Sequence, residues 1–453
     1  MTLESGQQQS QTGAPDHERL SCTLRDHTAA LMERTALRRV LMIAYHYPPC
    51  HGSSGVHRTL KFSRHLGGHG WAPVVLTAHP RAYPFVSSGQ LGEIPRAIHV
   101  ERAFALDANR HLAIRGRTVK LLTLPDRWAT WAIGGVSSGL RLVRRFRPAV
   151  IWSTFPIATA HLIGFLLHRL TGLPWIADFR DPMMEDDYPT DPALRRTRRM
   201  IEAGAVRDAA FSVFVTRSAR DMYLSRHPEL SPERCKVIPN GYDEDDFAGL
   251  PLARGESIPE GRPVRVVHAG LIALADRDPR PLFRALSRLK RDRRLGPEAL
   301  RIDLRAPGNE IYYGQLLDEL GLRQMVHFLP LLPYRESLRD CGEADGLLLL
   351  QGASCNTQIP AKTYEYLRLG RPIFGAVTPA GDTAALLRET GGATIVDPAD
   401  ETALIRDLPR FVDAVRAGIH PTPPRTHAER FERTQLSATL AALLEEAGRH
   451  RGQ

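Results

Sequence analysis

The stretch NTQIPAKTYEYLRLGRPIFG, residues 356–375, places a lysine and a glutamate on one short predicted helix. Pro360 suits the first turn of a helix and Gly370 suits its end. Thr357 then lies at the helix entrance, where unpaired backbone N–H groups and the helix dipole attract an anion. Lys362 adds positive charge within the first turn, so the sequence predicts an anion-binding helix entrance.

Glu365 follows one turn further along the same predicted helix. A carboxylate that accepts hydrogen bonds from two neighbouring hydroxyls suits a ribose diol, as the ribose-binding acids of dinucleotide folds do. We therefore expect Glu365 to bind sugar hydroxyls beside a phosphate held at the helix entrance. A solvated glutamate without a role is the equally weighted alternative for this stretch taken alone.

A second polar cluster, IADFRDP, lies at the end of an apolar run. It puts two acids and an arginine at the carboxyl end of a predicted strand, where open α/β sheets bind their ligands. Asp178 or Asp181 could accept a proton from an acceptor hydroxyl, and Arg180 could clamp a phosphate with its planar guanidinium. An Asp–Arg pair that only fixes the loop is the structural alternative.

The loop YHYPPCHGSSGVHR follows the first apolar strand and contains two glycines. Gly52 and Gly55 would let the backbone approach a ligand, and a helix starting near Val56 would point its free N–H groups toward it. The loop lacks the G-x-G-x-x-G spacing, which argues against a dinucleotide dehydrogenase. A tight strand-to-helix turn is the alternative interpretation.

Strands and helices alternate along most of the chain, which predicts an α/β protein with doubly wound parallel sheets. The polar, Gly- and Pro-containing stretch AGLPLARGESIPEGRP interrupts the alternation and predicts a linker between two domains. The predicted divisions are a disordered tail without a signal peptide at 1–36, an N-terminal domain at 37–247, a linker at 248–263, a C-terminal domain at 264–425, and a terminal helical segment at 426–453 that packs back toward the N-terminal domain.

Composition narrows the class of protein and of partner. The 60 Lys and Arg residues outnumber the 50 Asp and Glu residues, so the formal charge of +10 favours anionic partners. The five cysteines show no C-x-x-C spacing, which predicts neither a metal site nor a disulfide framework and favours a reducing cytoplasm.

The acidic run DEDD within VIPNGYDEDDF predicts a solvated turn. The longest apolar stretch, FPIATAHLIGFLLHRL, falls short of the ~20 residues that a membrane span needs.

Six motifs in a fixed order resemble the GT-B glycosyltransferases of family four and their relatives. The resemblance covers roughly residues 39–444, and it depends on the order of the motifs more than on any one of them. The motifs are PPCHGSSGVHR after the first strand, LGGHGWAPVVLT, TGLPWIADFRDP, VIPNGYDEDDF, HAGLIALADRDPRPLFRAL and PAKTYEYLRLGRPIFG.

This resemblance implies two Rossmann-like domains that face a central cleft. It further implies a nucleotide-diphosphate sugar donor held mainly by the C-terminal domain, an acceptor on the N-terminal domain, and transfer with retention of configuration. Glu365 matches the second glutamate of the family's E-x7-E motif, which grips the donor ribose. The first glutamate falls at Thr357, so the acid that contacts the sugar is missing. No metal or other cofactor is required.

The resemblance also implies phosphate-binding cations after the first strand of the second domain. The segment that follows Gly270, LIALADRDP, lacks the family's arginine next to glycine. Arg277 lies near the position of the family's phosphate-binding lysine and is the first candidate for that role. Arg280 is the second candidate. The family's N-terminal histidine has no clear match, because WSTFP stands in its place and His161 lies on an apolar helix, where a core role is more common.

The function predicted from these observations is a cytoplasmic glycosyltransferase of polysaccharide, glycolipid or other glycoconjugate biosynthesis. Its acceptor is an unidentified hydroxyl compound, and a lipid-linked acceptor fits a basic protein that docks on the inner face of the membrane. Arginines crowd 141–147 and 195–199, and Leu194, Met200 and Ile201 interleave with the second group as an interfacial helix requires. The alternatives are a sugar-nucleotide epimerase or hydrolase of the same fold and a basic nucleic-acid-binding protein, although the arginine clusters lack interleaved aromatic residues.

Overall fold

The structure is a computed structural model that describes residues 37–51, 55–186, 188–250 and 257–449. The predicted tail at 1–36 and the site candidate Gly52 lie outside the described residues, as does the part of the predicted linker at 251–256.

The first domain is built on a parallel sheet in the order β3-β2-β1-β4-β5-β6-β7. Along β1, Val40 and Met42 pack into one apolar cluster while Leu41 and Ile43 pack into another. Because both faces of the sheet are covered by helices, the strand reads as an uninterrupted apolar run. The strands are β1 (Arg38–Ile43), β2 (Trp71–Ala78), β3 (His99–Ala103), β4 (Val150–Thr154), β5 (Trp175–Phe179), β6 (Phe211–Phe214) and β7 (Cys235–Val237).

The helices of this domain alternate with its strands. They are α1 (Gly55–His65), α2 (Ala108–His111), α3 (Trp131–Phe146), α4 (Ala158–Thr171), α5 (Pro192–Asp208) and α6 (Arg217–Arg226). Helix α3 was not predicted because its glycines lower helix propensity. Two of them are required by packing, since a Cβ atom at Gly134 would lie 2.2 Å from the carbonyl oxygen of Phe104 and one at Gly139 would lie 2.4 Å from Leu167.

The second domain repeats the arrangement with a parallel sheet in the order β10-β9-β8-β11-β12-β13. Its strands are β8 (Val264–Ala269), β9 (Leu300–Arg305), β10 (Val326–Leu329), β11 (Gly346–Gln351), β12 (Ile373–Val377) and β13 (Ala393–Val396). Its helices are α7 (Arg280–Arg291), α8 (Glu310–Glu319), α9 (Tyr334–Gly342), α10 (Ala361–Leu369), α11 (Asp382–Thr390) and α12 (Glu401–Arg416). The predicted α/β class and the two Rossmann-like domains are confirmed.

The C-terminal segment forms two helices, α13 (Arg425–Glu429) and α14 (Arg433–Arg449), where one helix was predicted. The break holds Phe431, whose carbonyl oxygen accepts a hydrogen bond from the backbone N–H of Tyr242 at 3.1 Å. A Cβ atom at Gly241 would lie 1.9 Å from the same oxygen, so this close approach requires glycine there. Helix α14 then packs Leu440 and Leu444 into the core of the first domain. Helices long and apolar enough to cross a membrane are absent from the described ranges.

A buried ionic cluster joins α1 to the segment between the domains. The ammonium of Lys61 lies 3.1 Å from a carboxylate oxygen of Asp243 and 2.9 Å from one of Asp246, and all three side chains are buried or nearly so. Burial alone would raise the pKa of Asp243, but its hydrogen bond with His65 and the charge of Lys61 hold that pKa well below its usual range. The interpretation of DEDD as a solvated turn is therefore wrong for Asp243 and Asp246, because their partner cation comes from a helix far away in sequence.

We predict that Lys61→Met lowers the free energy of unfolding by ~3–5 kcal/mol, because it leaves two buried carboxylates without their cation. Arg64→Met is the matched control on the same helix, since Arg64 pairs with the exposed Asp245 and such pairs are worth under about 1 kcal/mol. Urea unfolding followed by circular dichroism measures both variants. Equal destabilisation of the two variants would contradict the account of this cluster.

Candidate functional site

Glu365 lies on α10, which runs between Pro360 and Gly370 as the sequence predicts. Gly370 ends the helix with φ near 68°, a left-handed conformation that glycine adopts without strain. The Glu365 side chain is half-buried, and burial raises its pKa. The hydroxyl of Tyr334, at the start of α9, donates a 2.8 Å hydrogen bond to Glu365 Oε1. The carboxylate is thus an oriented group and not a solvated one.

Tyr334 also makes an aromatic contact across the cleft. Its ring packs against the ring of His57 on α1, with the ring centroids 4.5 Å apart. Burial and the nearby Lys61 lower the pKa of His57 to about 3, so its imidazole is neutral. Within the described ranges, the buried Nδ1 atom of His57 has no hydrogen-bond partner. Helix α1 therefore carries a neutral, buried imidazole against the tyrosine that orients Glu365.

Lys362 is one turn before Glu365 on α10 and points toward the end of β8. Its Nζ lies 3.1 Å from Nε2 of His268, and Nδ1 of His268 lies 2.9 Å from the carbonyl oxygen of Leu348. Burial, together with the charge of Arg277, lowers the pKa of Lys362 to about 7. Gly270 has φ near 106°, and a Cβ atom there would lie 3.3 Å from Lys362 Nζ, so the ammonium sits against bare backbone.

Arg277 and Arg280 differ in their surroundings. Arg277 is close enough to Lys362 to lower the lysine pKa, and its buried Nε has no hydrogen-bond partner among the described residues. Its contact with Asp276 is long, at 3.4 Å. Arg280 instead forms a 2.7 Å salt bridge with Asp278 on the half-exposed start of α7. The geometry thus groups Arg277 with Lys362 and gives Arg280 a partner of its own.

Thr357 lies where the two domains touch. Its carbonyl oxygen accepts a 2.7 Å hydrogen bond from the hydroxyl of Thr216 at the start of α6. The neighbouring Gln358 donates to Glu185 of the first domain at 3.4 Å. The segment that replaces the family's first glutamate is therefore held by the opposite domain, a contact that no local sequence pattern predicts.

Arg180 and Gly55 are brought together at the start of α1. Arg180 donates to Asp181 at 2.8 Å, and a Cβ atom at Gly55 would lie 1.8 Å from the Arg180 guanidinium. A larger residue at position 55 would displace the Arg180 side chain from this place. Burial, with the charge of Arg180, also lowers the pKa of the adjacent His46 to about 3. Asp181 is half-buried and stays near the cleft, so both residues remain site candidates.

The predicted role of Asp178 as a proton acceptor is not supported by its surroundings. It is fully buried, and its two carboxylate oxygens accept hydrogen bonds from Arg58 at 2.6 and 3.0 Å and from Thr154 at 2.7 Å. Arg58 also donates to the carbonyl oxygens of Ile238 and Pro239 at 3.0 Å, just before the turn between the domains. Asp178 therefore anchors Arg58 and is not placed to accept a proton from a substrate.

His161 fits the core role expected for it. It is fully buried, its Nδ1 lies 2.7 Å from Ser153 Oγ, and its ring packs against Phe179 at 4.9 Å. The sequence reasoning missed His268, Tyr334 and His57. The one available signal was a histidine inside the otherwise apolar run VRVVHAG. Over the part of the chain that is described, groups of three or more potential metal ligands are absent.

Comparison with known proteins gives one family match and several similar folds. Residues 53–241 match the model of the glycosyl transferase 4-like domain. Sucrose-phosphate synthase from Thermosynechococcus elongatus superposes with a TM-score of 0.60 at 16% identity, over 90% of this chain and 98% of that one. HepE from Anabaena, solved in complex with UDP-glucose, gives 0.60 at 13%, over 90% and 99%. UDP-GlcNAc 2-epimerase from Neisseria meningitidis gives 0.53 at 11%, over 90% and 100%. No curated protein sequence matches the chain.

The family match identifies residues 53–241 as similar to the glycosyl transferase 4-like domain, and the structural likeness shows the GT-B fold. The match lies in the N-terminal domain, and the structural likeness extends the GT-B fold over both domains. The predicted resemblance is therefore confirmed.

We predict that Arg277→Gln weakens the binding of inorganic pyrophosphate by about tenfold or more, because a charge-assisted hydrogen bond contributes ~1.5–3 kcal/mol. Arg280→Gln is the control and should change the dissociation constant by less than about threefold, because Arg280 is already paired. Isothermal titration calorimetry at one pH measures both. A larger effect of Arg280→Gln would show that Arg280, and not Arg277, is the arginine that binds pyrophosphate.

Proposed function

We propose that this protein is a glycosyltransferase, which moves a sugar from a nucleotide-diphosphate sugar to an acceptor hydroxyl with retention of configuration. The observation that carries the proposal is the grouping of Arg277 and Glu365 with Lys362, whose Nζ lies against the bare backbone of Gly270, opposite α1 of the other domain. Two cations and one carboxylate in this order suit a diphosphate followed by a ribose. The family match supports the transferase activity, and HepE with its bound UDP-glucose supports this class of donor.

The chemistry of the proposed step follows from where charge develops. Cleavage of the bond between the sugar and the diphosphate leaves negative charge on the terminal phosphate, and that charge grows toward the transition state. Lys362 and Arg277 are held in place before the reaction, so they stabilise the growing charge without reorganising. Interactions that are stronger in the transition state than in the ground state raise the rate.

The acceptor is proposed to enter on the side of the N-terminal domain. Arg180 and Asp181 lie at the carboxyl end of β5, next to the start of α1. Because Asp178 is fully paired, Asp181 is the remaining carboxylate of the predicted pair for proton acceptance, and Arg180 orients it through its hydrogen bonds. The cleft walls already touch through Thr216 and Thr357, which would exclude water during transfer.

An epimerase of the same fold is the second candidate, favoured by the likeness to UDP-GlcNAc 2-epimerase from Neisseria meningitidis. Incubation with a panel of nucleotide sugars in the absence of any acceptor separates the two. An epimerase converts the sugar unaided, whereas a glycosyltransferase leaves the donor intact until an acceptor hydroxyl is supplied.

We predict that Glu365→Gln weakens nucleotide-sugar binding by about tenfold to a hundredfold, because an amide binds two ribose hydroxyls less strongly than a carboxylate does. Glu336→Gln is the matched control, since Glu336 is exposed on the first turn of α9. Binding is measured by calorimetry with UDP-, GDP- and dTDP-sugars, and folding by circular dichroism. Normal donor affinity in a folded Glu365→Gln protein would overturn the ribose role.

A surface of the N-terminal domain is proposed to dock on anionic membrane and so reach a lipid-linked acceptor. Ile114, Val119 and Leu121 are 60–75% exposed, and Lys120 pairs with Asp191 at the start of α5. This pairing puts the apolar loop at the N-terminus of α5, a helix that also carries the exposed Arg196, Arg199 and Met200. The predicted interfacial helix needs correction, because Arg198 and Ile201 are buried and face inward.

We predict that the protein sediments with anionic vesicles at low salt and is released at high salt, since each surface cation contributes ~1 kcal/mol. Leu121→Asp should reduce the bound fraction several-fold. Leu170→Asp is the control, because Leu170 is also well exposed, at the far end of α4. Equal binding to neutral and anionic vesicles, or binding to neither, would favour a soluble acceptor.

A further inference from the structure

His268 is a buried histidine whose tautomer the structure determines. It lies in β8 with none of its surface exposed, and its Nδ1 is 2.9 Å from the carbonyl oxygen of Leu348. Because a carbonyl oxygen only accepts hydrogen bonds, Nδ1 carries the proton. In the neutral ring Nε2 is then an acceptor, and it lies 3.1 Å from Nζ of Lys362. The backbone of Gly270 also hydrogen-bonds the imidazole, which opposes but does not reverse the lowering of the His268 pKa.

Lys362 is surrounded by groups that oppose its charge more than they support it. Burial and Arg277 lower its pKa to about 7, while Glu365 on its own helix and Cys341 on α9 act in the opposite direction. His268 adds no charge, because burial and Lys362 keep the pKa of its imidazole well below the usual range. Near neutral pH the lysine is thus divided between its ammonium and amine forms.

The hydrogen bond from Lys362 to His268 fixes the position of the amine in either form, since both forms can donate. Without it, the flexible four-carbon side chain would be free to leave the backbone of Gly270 and to approach Glu365. Holding the amine between Gly270 and Arg277 keeps it where a diphosphate would lie.

We propose that His268 is a positioning residue of the diphosphate site, which holds Lys362 for the donor, and that donor binding brings one proton from solvent onto Lys362. This inference rests on the proposed function, because it takes the anion to be the donor diphosphate. The incoming negative charge favours the ammonium form, so the proton moves from bulk water to Lys362 Nζ. No covalent bond other than this N–H bond is formed.

The direction in which donor affinity changes with pH follows from the linkage between donor binding and protonation of Lys362. Below pH ~6 nearly all of the free protein carries a charged Lys362, so affinity is independent of pH there. Above pH ~7 each bound donor must take up a proton, so affinity falls by up to about tenfold per pH unit until the pKa of the complex is reached. Lys362→Arg keeps a permanent charge and should therefore remove this dependence.

The test is calorimetry of the full-length protein with UDP-glucose, GDP-mannose and dTDP-glucose, whose diphosphate diesters keep constant charge across the range. The donor that binds most tightly is titrated between about pH 6 and about pH 8.5, at each pH in two phosphate-free buffers whose heats of ionisation differ. We expect uptake of close to one proton at the upper pH, a dissociation constant that rises about tenfold or more, and no uptake by Lys362→Arg.

The position of His268 is tested by two variants. His268→Leu should weaken donor binding about tenfold, and His268→Gln, which keeps an acceptor near the Nε2 position, should recover most of that loss. Equal losses in both folded variants would overturn the positioning role. Donor binding by the unaltered protein without proton uptake would overturn the inference and leave the proposed function standing. Failure of every nucleotide sugar to bind at any pH would overturn the proposed function itself.

Discussion

The geometry of the cleft depends on two buried cations of one helix. Arg58 and Lys61 lie one turn apart on α1 and form ion pairs with acids of two different segments. Arg58 pairs with Asp178 at the end of β5, and Lys61 pairs with Asp243 in the segment that follows β7. A cation buried without partners is costly, so these pairs can form only when the helix, the sheet and the turn are in one arrangement. The orientation of α1 is fixed by that requirement.

The site follows from this orientation. With α1 fixed, His57 is presented to Tyr334 across the cleft, and Tyr334 in turn orients Glu365. The second wall is local to the C-terminal domain, where β8, its following loop and α10 bring His268 and Lys362 together. One wall thus depends on long-range ion pairs and the other on the packing of one strand against one helix.

The sequence predicted features that depend on local signals. The strands and the helix that carries Glu365 were found because apolar runs, Pro360 and Gly370 act over a few residues. Helix α3 was missed because its glycines are there for packing on Phe104 and Leu167. The sequence predicted a proton-accepting role for Asp178 and a solvated turn for the DEDD run. Both predictions needed correction because the cations that pair with these acids lie more than a hundred residues away. The role of His268 likewise needs a lysine that is distant in sequence.

A crystal structure of the protein with its nucleoside diphosphate tests the central claim most directly. The account predicts that the two phosphates lie against Gly270 within hydrogen-bond distance of Lys362 and Arg277. It also predicts that a ribose hydroxyl donates to Glu365, while Lys362 still contacts His268. A nucleotide bound elsewhere, or bound here with its phosphates on Arg280 and its ribose away from Glu365, would contradict the account.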